Sequence, residues 1–409
     1  MISFLKTFAP LAWRNLWRNA RRTVITLIVV SVGFWSVLIF NAFLNAWSES
    51  GKQTTLSVLI GEAQIHAPGY MDDPNIELLM PPPDPALRAA LDDPAISHWA
   101  SRLIVPGVVQ SEYKTLPVSI LGVDPKDEMI VSSLPAQVVE GRYLASQTDA
   151  GVVLGESLAE RLETGLGRRV ILMSQNTSGA LSEQSFDVVG IFDSDKGTED
   201  FYAFTGRKAA QDFLGLKDEI AEIVLRIPDE KLLDQTVATV QKAAPDLEVK
   251  SWHSLSLMLA ASDTFMKSFV FVWLGVVFSI MAIGIVNTQL MAVFERTHEI
   301  GLLRALGMKP RQVLWMITLE SAFMVGLGVL LGLALGALSI FATYDGIDLS
   351  AFSEGMEMIQ AADILYPDYD LKGFAIFSGI IWILGILVAI WPARRAARLS
   401  PVEAMRYAS

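Results

Sequence analysis

ERTHEIGLLRALGMKPRQV, Glu295 to Val313, is a short polar segment caught between two long apolar runs. Ser268 to Phe294 before it contains no charged residue, and Gln312 to Tyr344 after it contains one, Glu320. Each run is long enough to cross ~30 Å of hydrocarbon as a helix, which takes about 20 residues. The segment is therefore a loop between two membrane spans, yet its composition is that of a helix. Helix formers dominate Glu295 to Leu306, the apolar Ile300, Leu303 and Leu306 recur at helical spacing, and Gly307 suits a C-cap. Pro310 fits the first turn of the next helix, where its missing N–H costs nothing. A stiff, basic, amphipathic helix between two spans is a device for pushing or being pushed. The plainer alternative is a turn whose charges serve only topology.

The totals agree with a chain that is part membrane and part water-exposed. Of 409 residues 52% are hydrophobic, the mean hydropathy is +0.41, and the apolar residues gather into four runs around one large polar insertion. The net charge of −12 is unevenly placed. Lys and Arg outnumber Asp and Glu by 5 to 0 over residues 1–23, 4 to 2 over 294–312 and 4 to 1 over 393–409. They are outnumbered 17 to 33 over 49–264 and 0 to 7 over 344–370. Cationic residues near span ends favour the cytoplasmic side, so the three basic segments, with both termini, are predicted inside and the acidic ones outside. The 26 uncharged residues from Thr23 to Ser48 exceed a signal-peptide core and read as a retained signal anchor.

Before the first span, Phe4, Phe8, Leu11, Leu16 and Trp17 fall on one helical side with Lys6, Arg14 and Arg18 among them, which predicts a helix lying in the membrane interface. The 216 residues of 49–264 suffice for a domain, which we expect to have two lobes. Gln64 to Tyr70 and Met80 to Pro85 read as chain breakers, and Pro85 to Leu91 as a short helix. Leu103 to Gln110 and Leu116 to Val123 read as strands. From Gly151 to Lys250 strands and helices alternate, predicting a small α+β lobe of ferredoxin-like character in that stretch. Ser254 to Met266 is the expected stalk helix entering the second span.

Several chemistries are missing. Without cysteine there is no disulfide, thiolate catalysis or lipid anchor on a thiol. No G-x-x-x-x-G-K-[ST] phosphate cradle occurs, so energy from ATP would have to come through a partner. His66, His98, His253 and His298 have no ligand spacing, and the Asp72-Asp73-Pro74 and Asp92-Asp93-Pro94 runs are ordinary turn chemistry, so no metal, cofactor or catalytic site is expected. Glu320 is the exception that needs an explanation. An ionisable group inside a span is costly and faces protein or water. Arg296, Arg304, Arg14 and Arg18 are its possible partners. The four-residue steps of Gly328, Gly332 and Gly336 allow close helix packing, either across a dimer seam or inside one subunit.

RTHEIGLLRALG (Arg296 to Gly307), the Leu319-Glu320-Ser321 and Gly326 to Gly336 stretches, and WPARRAARLSPVEAMR (Trp391 to Arg406) together resemble the permease family that includes FtsX, MacB, LolC and LolE. Arg14 to Arg22 is similar to that family's N-terminal basic run, and Val153 to Leu162 to a run in the external domain of MacB and the LolC/LolE pair. The resemblance implies a membrane protein of four transmembrane helices with a large α+β periplasmic domain between helices 1 and 2. In this chain the parts are an interfacial helix at 1–22, spans at 23–48, 265–294, 311–343 and 371–393, and a MacB-like periplasmic domain at 49–264. A cytoplasmic coupling helix at 295–310, an external loop at 344–370 and a cytoplasmic tail at 394–409 complete it. It further implies a bacterial inner-membrane subunit that couples ATP hydrolysis to extraction or export of a lipoprotein or other amphiphile.

Expected partners are two ABC ATPase subunits holding ATP and Mg, a second copy or homologous permease, the lipid membrane, and a periplasmic carrier or adaptor; nucleic acid is not one. The alternative is an FtsX-like transmitter that activates a periplasmic hydrolase or sensor without moving cargo. Carried onto this chain, Arg296, His298, Glu299, Ile300, Gly301, Leu303, Arg304, Ala305 and Gly307 would couple to the ATPase and Glu320 would act as a structural lock. Candidate substrate contacts are Phe40, Phe43, Leu44 and Trp47 with Leu255, Met258 and Met266. Gln175 to Gln184 departs from LolC, whose corresponding connection is a long hook that engages the lipoprotein carrier; here it is short and polar.

Overall fold

The structure, a computed structural model, describes residues 2–194, 196–349, 364–367 and 369–398, without the side chains of 2–7, Thr54 and Met258. The ending from Leu399 to Arg406 and the centre of the loop before the last span lie outside these residues. The chain divides into two compact units, residues 1–50 with 262–409, and residues 51–261.

Among the described residues the first unit holds four helices long and apolar enough to cross a membrane. They belong to Ala20–Thr55 (span one), Leu257–Glu295 (span two), Pro310–Ala342 (span three) and Leu371–Ala397 (span four). Their shared core is built from Phe34, Val37 and Leu38, Leu274 and Met281, Val325 and Val329, and Phe377 and Ile381. The glycine face of span three lies against span one of the same chain. A Cβ at Gly328 would meet Val30 at 2.5 Å, at Gly332 the Ser31 carbonyl at 2.9 Å and Phe34 at 3.0 Å, and at Gly336 Leu38 at 2.9 Å. Of the two uses open to these glycines, packing inside one subunit is the one the structure displays. The helix Ile2–Arg18 splits its apolar residues: Phe8, Ala12 and Leu16 are buried, while Leu11, Trp13 and Trp17 are exposed. Trp13 meets Phe323 of span three edge-on at 6.0 Å.

The second unit is a ferredoxin-like lobe with a barrel inserted in it. Strands β1 (Ala63–His66), β2 (His98–Gln110), β3 (Thr115–Val123), β4 (Val138–Gly141), β5 (Gly151–Gly155), β6 (Arg169–Gln175), β7 (Leu181–Phe192), β8 (Tyr202–Gly206), β9 (Glu222–Arg226) and β10 (Glu248–Ser251) form one connected sheet. At one end the order is β10-β1-β9-β2, all antiparallel. Helices Pro85–Leu91 and Glu230–Ala243 supply Leu87, Leu91, Leu233 and Val240 to its core beside Ile65, Ile223 and Leu225. That is the β-α-β-β-α-β pattern, interrupted between its second and third strands. The interruption closes on itself as β2-β3-β8-β5-β7-β6 and back to β2, with Val105, Ile120, Val152, Leu172 and Phe186 inside.

Two expectations are corrected here. The ferredoxin-like lobe is not confined to 151–250, because its first two strands come before residue 111 and the stretch 151–206 belongs to the barrel. Gln64 to His66 is a strand and not a breaker: in buried positions Gln64 Nε2 donates to the Ile60 carbonyl at 2.8 Å and His66 Nε2 lies 3.4 Å from Glu222, while His66 Nδ1 has no partner among the described residues. The helix of span two starts at Leu257, after a separate short helix at Trp252–Leu255. Between β6 and β7 the chain makes a tight turn at 176–180, with Asn176 N donating to the Ala180 carbonyl.

Candidate functional site

Span two ends at Glu295, and Arg296, with non-helical φ of −106°, is the N-cap of the short helix Thr297–Ala305. Gly307 follows that helix at φ +99°, a conformation only glycine adopts freely, and Pro310 starts span three. The short helix is tied down on three sides. Arg296 places Nη1 3.1 Å from Glu320 Oε2 in span three and donates Nη2 to the Asn15 carbonyl of the N-terminal helix at 2.7 Å. Glu299 receives both Nη groups of Arg18 from the same N-terminal helix. The Arg18 hydrogen bond holds the Glu299 carboxyl below its ordinary value. Arg304 donates to the Ala397 carbonyl at the end of span four at 3.1 Å, and Ile300 packs on Val293, Val313, Ala393 and Ala396. Arg22 to Glu295 at 2.8 Å adds a second tie at the end of span two.

Of the four partners open to Glu320, the structure brings up Arg296. Both side chains are nearly covered, at 12% and 7% exposure, and border a cavity of about 230 Å³ that also meets Gln289, Leu303 and Met316. An ion pair so covered adds little net stability, but removing one partner strands the other.

The predicted coupling residues thus divide. Arg296, Glu299, Ile300, Gly301, Leu303 and Arg304 face inward or sideways into these ties, whereas His298, Ala305 and Gly307 are exposed. Leu306, at helical spacing from Ile300 and Leu303, is 77% exposed, because the helix ends one residue before it and Gly307 turns the chain away. With Leu302, 51% exposed, it makes an apolar stripe with His298 and Ala305 at steps of three or four. Leu302, and the outward role of Leu306, escaped the sequence reading because spacing alone does not say which apolar side of a short helix is covered.

The proposed substrate contacts do not gather into one site. Phe40 and Phe43 border a cavity of about 340 Å³ at the span ends next to the insertion, with Trp35, Trp273 and Ser339. Phe40 lies 5.1 Å from Trp273, Phe43 meets Trp47 at 5.7 Å, and Leu44 packs on the bundle core. Met266 is half-buried in span two, and the Met258 side chain lies outside the described residues. Leu255 belongs instead to the second unit, where it borders a cleft of about 370 Å³ with Tyr70, Arg102 and Glu222. Trp35 and Trp273 were missed; Trp35 donates to Ser339 at 2.9 Å, and Trp273 Nε1 has no hydrogen-bond partner among the described residues.

Four spans, a two-lobed domain inserted after the first and a tethered helix between the second and third define a multi-pass membrane permease. Residues 23–243, more than half of the chain, match the MacB-like periplasmic core domain, and residues 271–401 match the FtsX-like permease C-terminal domain. The chain belongs to this MacB/FtsX family and is a permease subunit of an ABC transporter. It is 23% identical to the lipoprotein-releasing system transmembrane protein LolC of Neisseria meningitidis, covering 94% of each chain. It is 23% identical to LolE of Haemophilus influenzae over 76% of this chain and 82% of that one. It is 24% identical to the macrolide export ATP-binding/permease protein MacB 2 of Aeromonas hydrophila, over 78% of this chain and 48% of that one. Among solved structures the periplasmic region of MacB from Actinobacillus actinomycetemcomitans is similar over 51% of this chain and 94% of that one, at 15% identity and a TM-score of 0.35.

Proposed function

We propose that this permease expels a lipoprotein or similar amphiphile from the outer leaflet of the bacterial inner membrane, driven by ATP and Mg bound in a separate pair of ATPase subunits. The observation that carries it is the tethered helix Thr297–Ala305, which presents an apolar stripe while ion pairs and hydrogen bonds fix its other sides to the N-terminal helix and to spans three and four. A push on such a helix reaches several spans together. Both termini lie in the cytoplasm, as the charge distribution favours, and a second copy or homologous permease completes the unit. The cavity with Phe40, Phe43, Trp35 and Trp273 supports an amphiphile, because much of its lining is aromatic and apolar. A periplasmic carrier or adaptor would receive the cargo. The chain itself is the non-catalytic subunit.

The test is ATP turnover and release of a fluorescent lipoprotein to a soluble carrier, using the permease–ATPase complex in nanodiscs, with a Leu302→Glu/Leu306→Glu variant beside the wild type. Both leucines are exposed, so the fold should hold while ATPase docking and release are lost. Intact, stripe-dependent turnover with no release of any amphiphile would overturn the extrusion reading.

A further inference from the structure

Span one does not end in a loop. Its helix runs to Thr55 and continues as a π-helical turn, Leu56–Ile60, closed by Gly61 N donating to the Leu56 carbonyl at 2.8 Å. The last carbonyls of a helix have no partner within it. Here four in a row are taken up by the second unit. Ser133 N donates to Ser57 at 2.7 Å, Ser132 Oγ to Val58 at 2.6 Å, Arg102 Nη1 to Leu59, and Gln64 Nε2 to Ile60 at 2.8 Å. Val58 and Leu56 each enter a different hydrophobic cluster, Val58 beside Leu121 and Phe204, Leu56 beside Ile65 and Trp252.

Arg102 is the centre of this grip. It is the residue at which β2 leaves one lobe for the other: Arg102 pairs with Glu222 of β9, and Leu103 already pairs with Gly122 of β3. Its side chain is 1% exposed. The guanidinium forks onto Glu128 at 3.0 and 2.6 Å, in the helix Pro125–Val131 after β3, and reaches Glu222 at 3.0 Å. Its rigid planar fork can hold three acceptors at fixed angles, which a lysine cannot. One side chain therefore joins the barrel, the ferredoxin-like lobe and the end of the span-one helix.

We propose that Arg102 is a positioning residue for transport, the joint through which displacement of span one is delivered to both lobes of the external domain. The inference rests on the extrusion reading above, since it supposes an ATP-driven displacement to deliver. With Arg102 and its two carboxylates replaced together by uncharged residues, the lobes should fold but the helix end would slip against them.

The chain has no cysteine, so Thr177→Cys and Lys242→Cys, both at exposed positions, place one spin label on the barrel turn and one on the ferredoxin-like lobe. Their distance is read by pulsed electron resonance in the permease–ATPase complex, with and without ATP and vanadate. Two backgrounds are compared with the unmodified clamp. Arg102→Met/Glu128→Leu/Glu222→Gln removes the buried charges together, a change that folded proteins tolerate far better than loss of one partner. Ser132→Ala removes one hydroxyl and leaves the charges whole. The expected result is an ATP-dependent distance change that the triple variant abolishes and Ser132→Ala diminishes, with the Ser132→Ala domain still folding cooperatively, though melting somewhat lower, and with intact ATP hydrolysis. A change of equal size in both variants overturns the joint and leaves extrusion standing. No change even with the clamp intact removes the transmitted displacement itself, and the joint with it.

Discussion

Two buried arginines do comparable work in the two units, in different surroundings. Arg296 ties the short helix to span three through Glu320 and to the N-terminal helix through the Asn15 carbonyl. Arg102 ties β9 and the helix Pro125–Val131 through Glu222 and Glu128, and the end of span one through the Leu59 carbonyl. In each case a guanidinium divides its donors between carboxylates and one main-chain oxygen of a separate element. The difference is how many carboxylates each guanidinium neutralises. Arg296 faces one, Glu320, whereas Arg102 faces two, Glu128 and Glu222, and is itself 1% exposed against 12%. Loss of the arginine therefore strands one carboxylate in the first unit and two in the second.

The comparison is broken most directly by removing each arginine. Arg102→Ala should cost about 3–5 kcal/mol, because it leaves two buried carboxylates uncompensated. Arg296→Ala should cost less, about 1–3 kcal/mol, because it strands one carboxylate and not two. Thermal unfolding of the full-length chain in detergent, followed with one probe in each unit, checks both; equal losses would refute the contrast.

A smaller effect, in pH, sharpens it. Burial pushes the Glu222 carboxyl up, but His66 and Arg102 together outweigh burial and hold it below the ordinary value of 4.5. A carboxyl depressed in the fold contributes stability that is complete above its unfolded pKa and is lost as pH falls through the folded one. The second unit should therefore keep its melting temperature down to about the ordinary carboxylate range and lose it below. Replacing Glu222 by Gln should flatten that limb of the curve. The smallest effect belongs to Glu299→Gln: with its side chain and that of Arg18 at 46% and 58% exposure, the pair adds little to stability and should weaken further in salt. Melting in low and high salt reads it.

The spans and the tethered helix were legible because long uncharged runs and a cap-to-proline sequence are local signals, complete within a few turns. The α+β character of the domain and several of its strands and helices were legible too, but its strand pairing was not, for two physical reasons visible at β1. Its polar Gln64 and His66 reach an Ile60 carbonyl and Glu222, and no hydrophobic pattern announces a strand whose polar side chains find their partners in the fold. Its partners β9 and β10 also lie far along the chain, so the pairing has no local trace. At the site, Arg296 and Glu320 could be named from residue type and depth, but the outward stripe of Leu302 and Leu306 depends on which helix faces are already occupied. The aromatic cavity likewise joins Trp35 and Trp273 from two spans, a proximity that only packing creates.

The insertion of a closed barrel inside an open sheet also dictates an order of assembly. The ferredoxin-like lobe needs β9 beside β1 and β2, yet Leu103 to Ala221 intervene between the strands that must meet. Closing a flexible loop that long is entropically costly, though the cost grows only slowly with length. The barrel removes the difficulty by ending where it begins: Ala221 N donates to the Arg102 carbonyl at 2.8 Å, so its two ends emerge as neighbours. Once the barrel has folded, β9 is delivered to its place as though by a short turn. Mutations that slow barrel formation should therefore delay the other lobe as well, whereas mutations in helix Glu230–Ala243 should leave the barrel's folding rate alone.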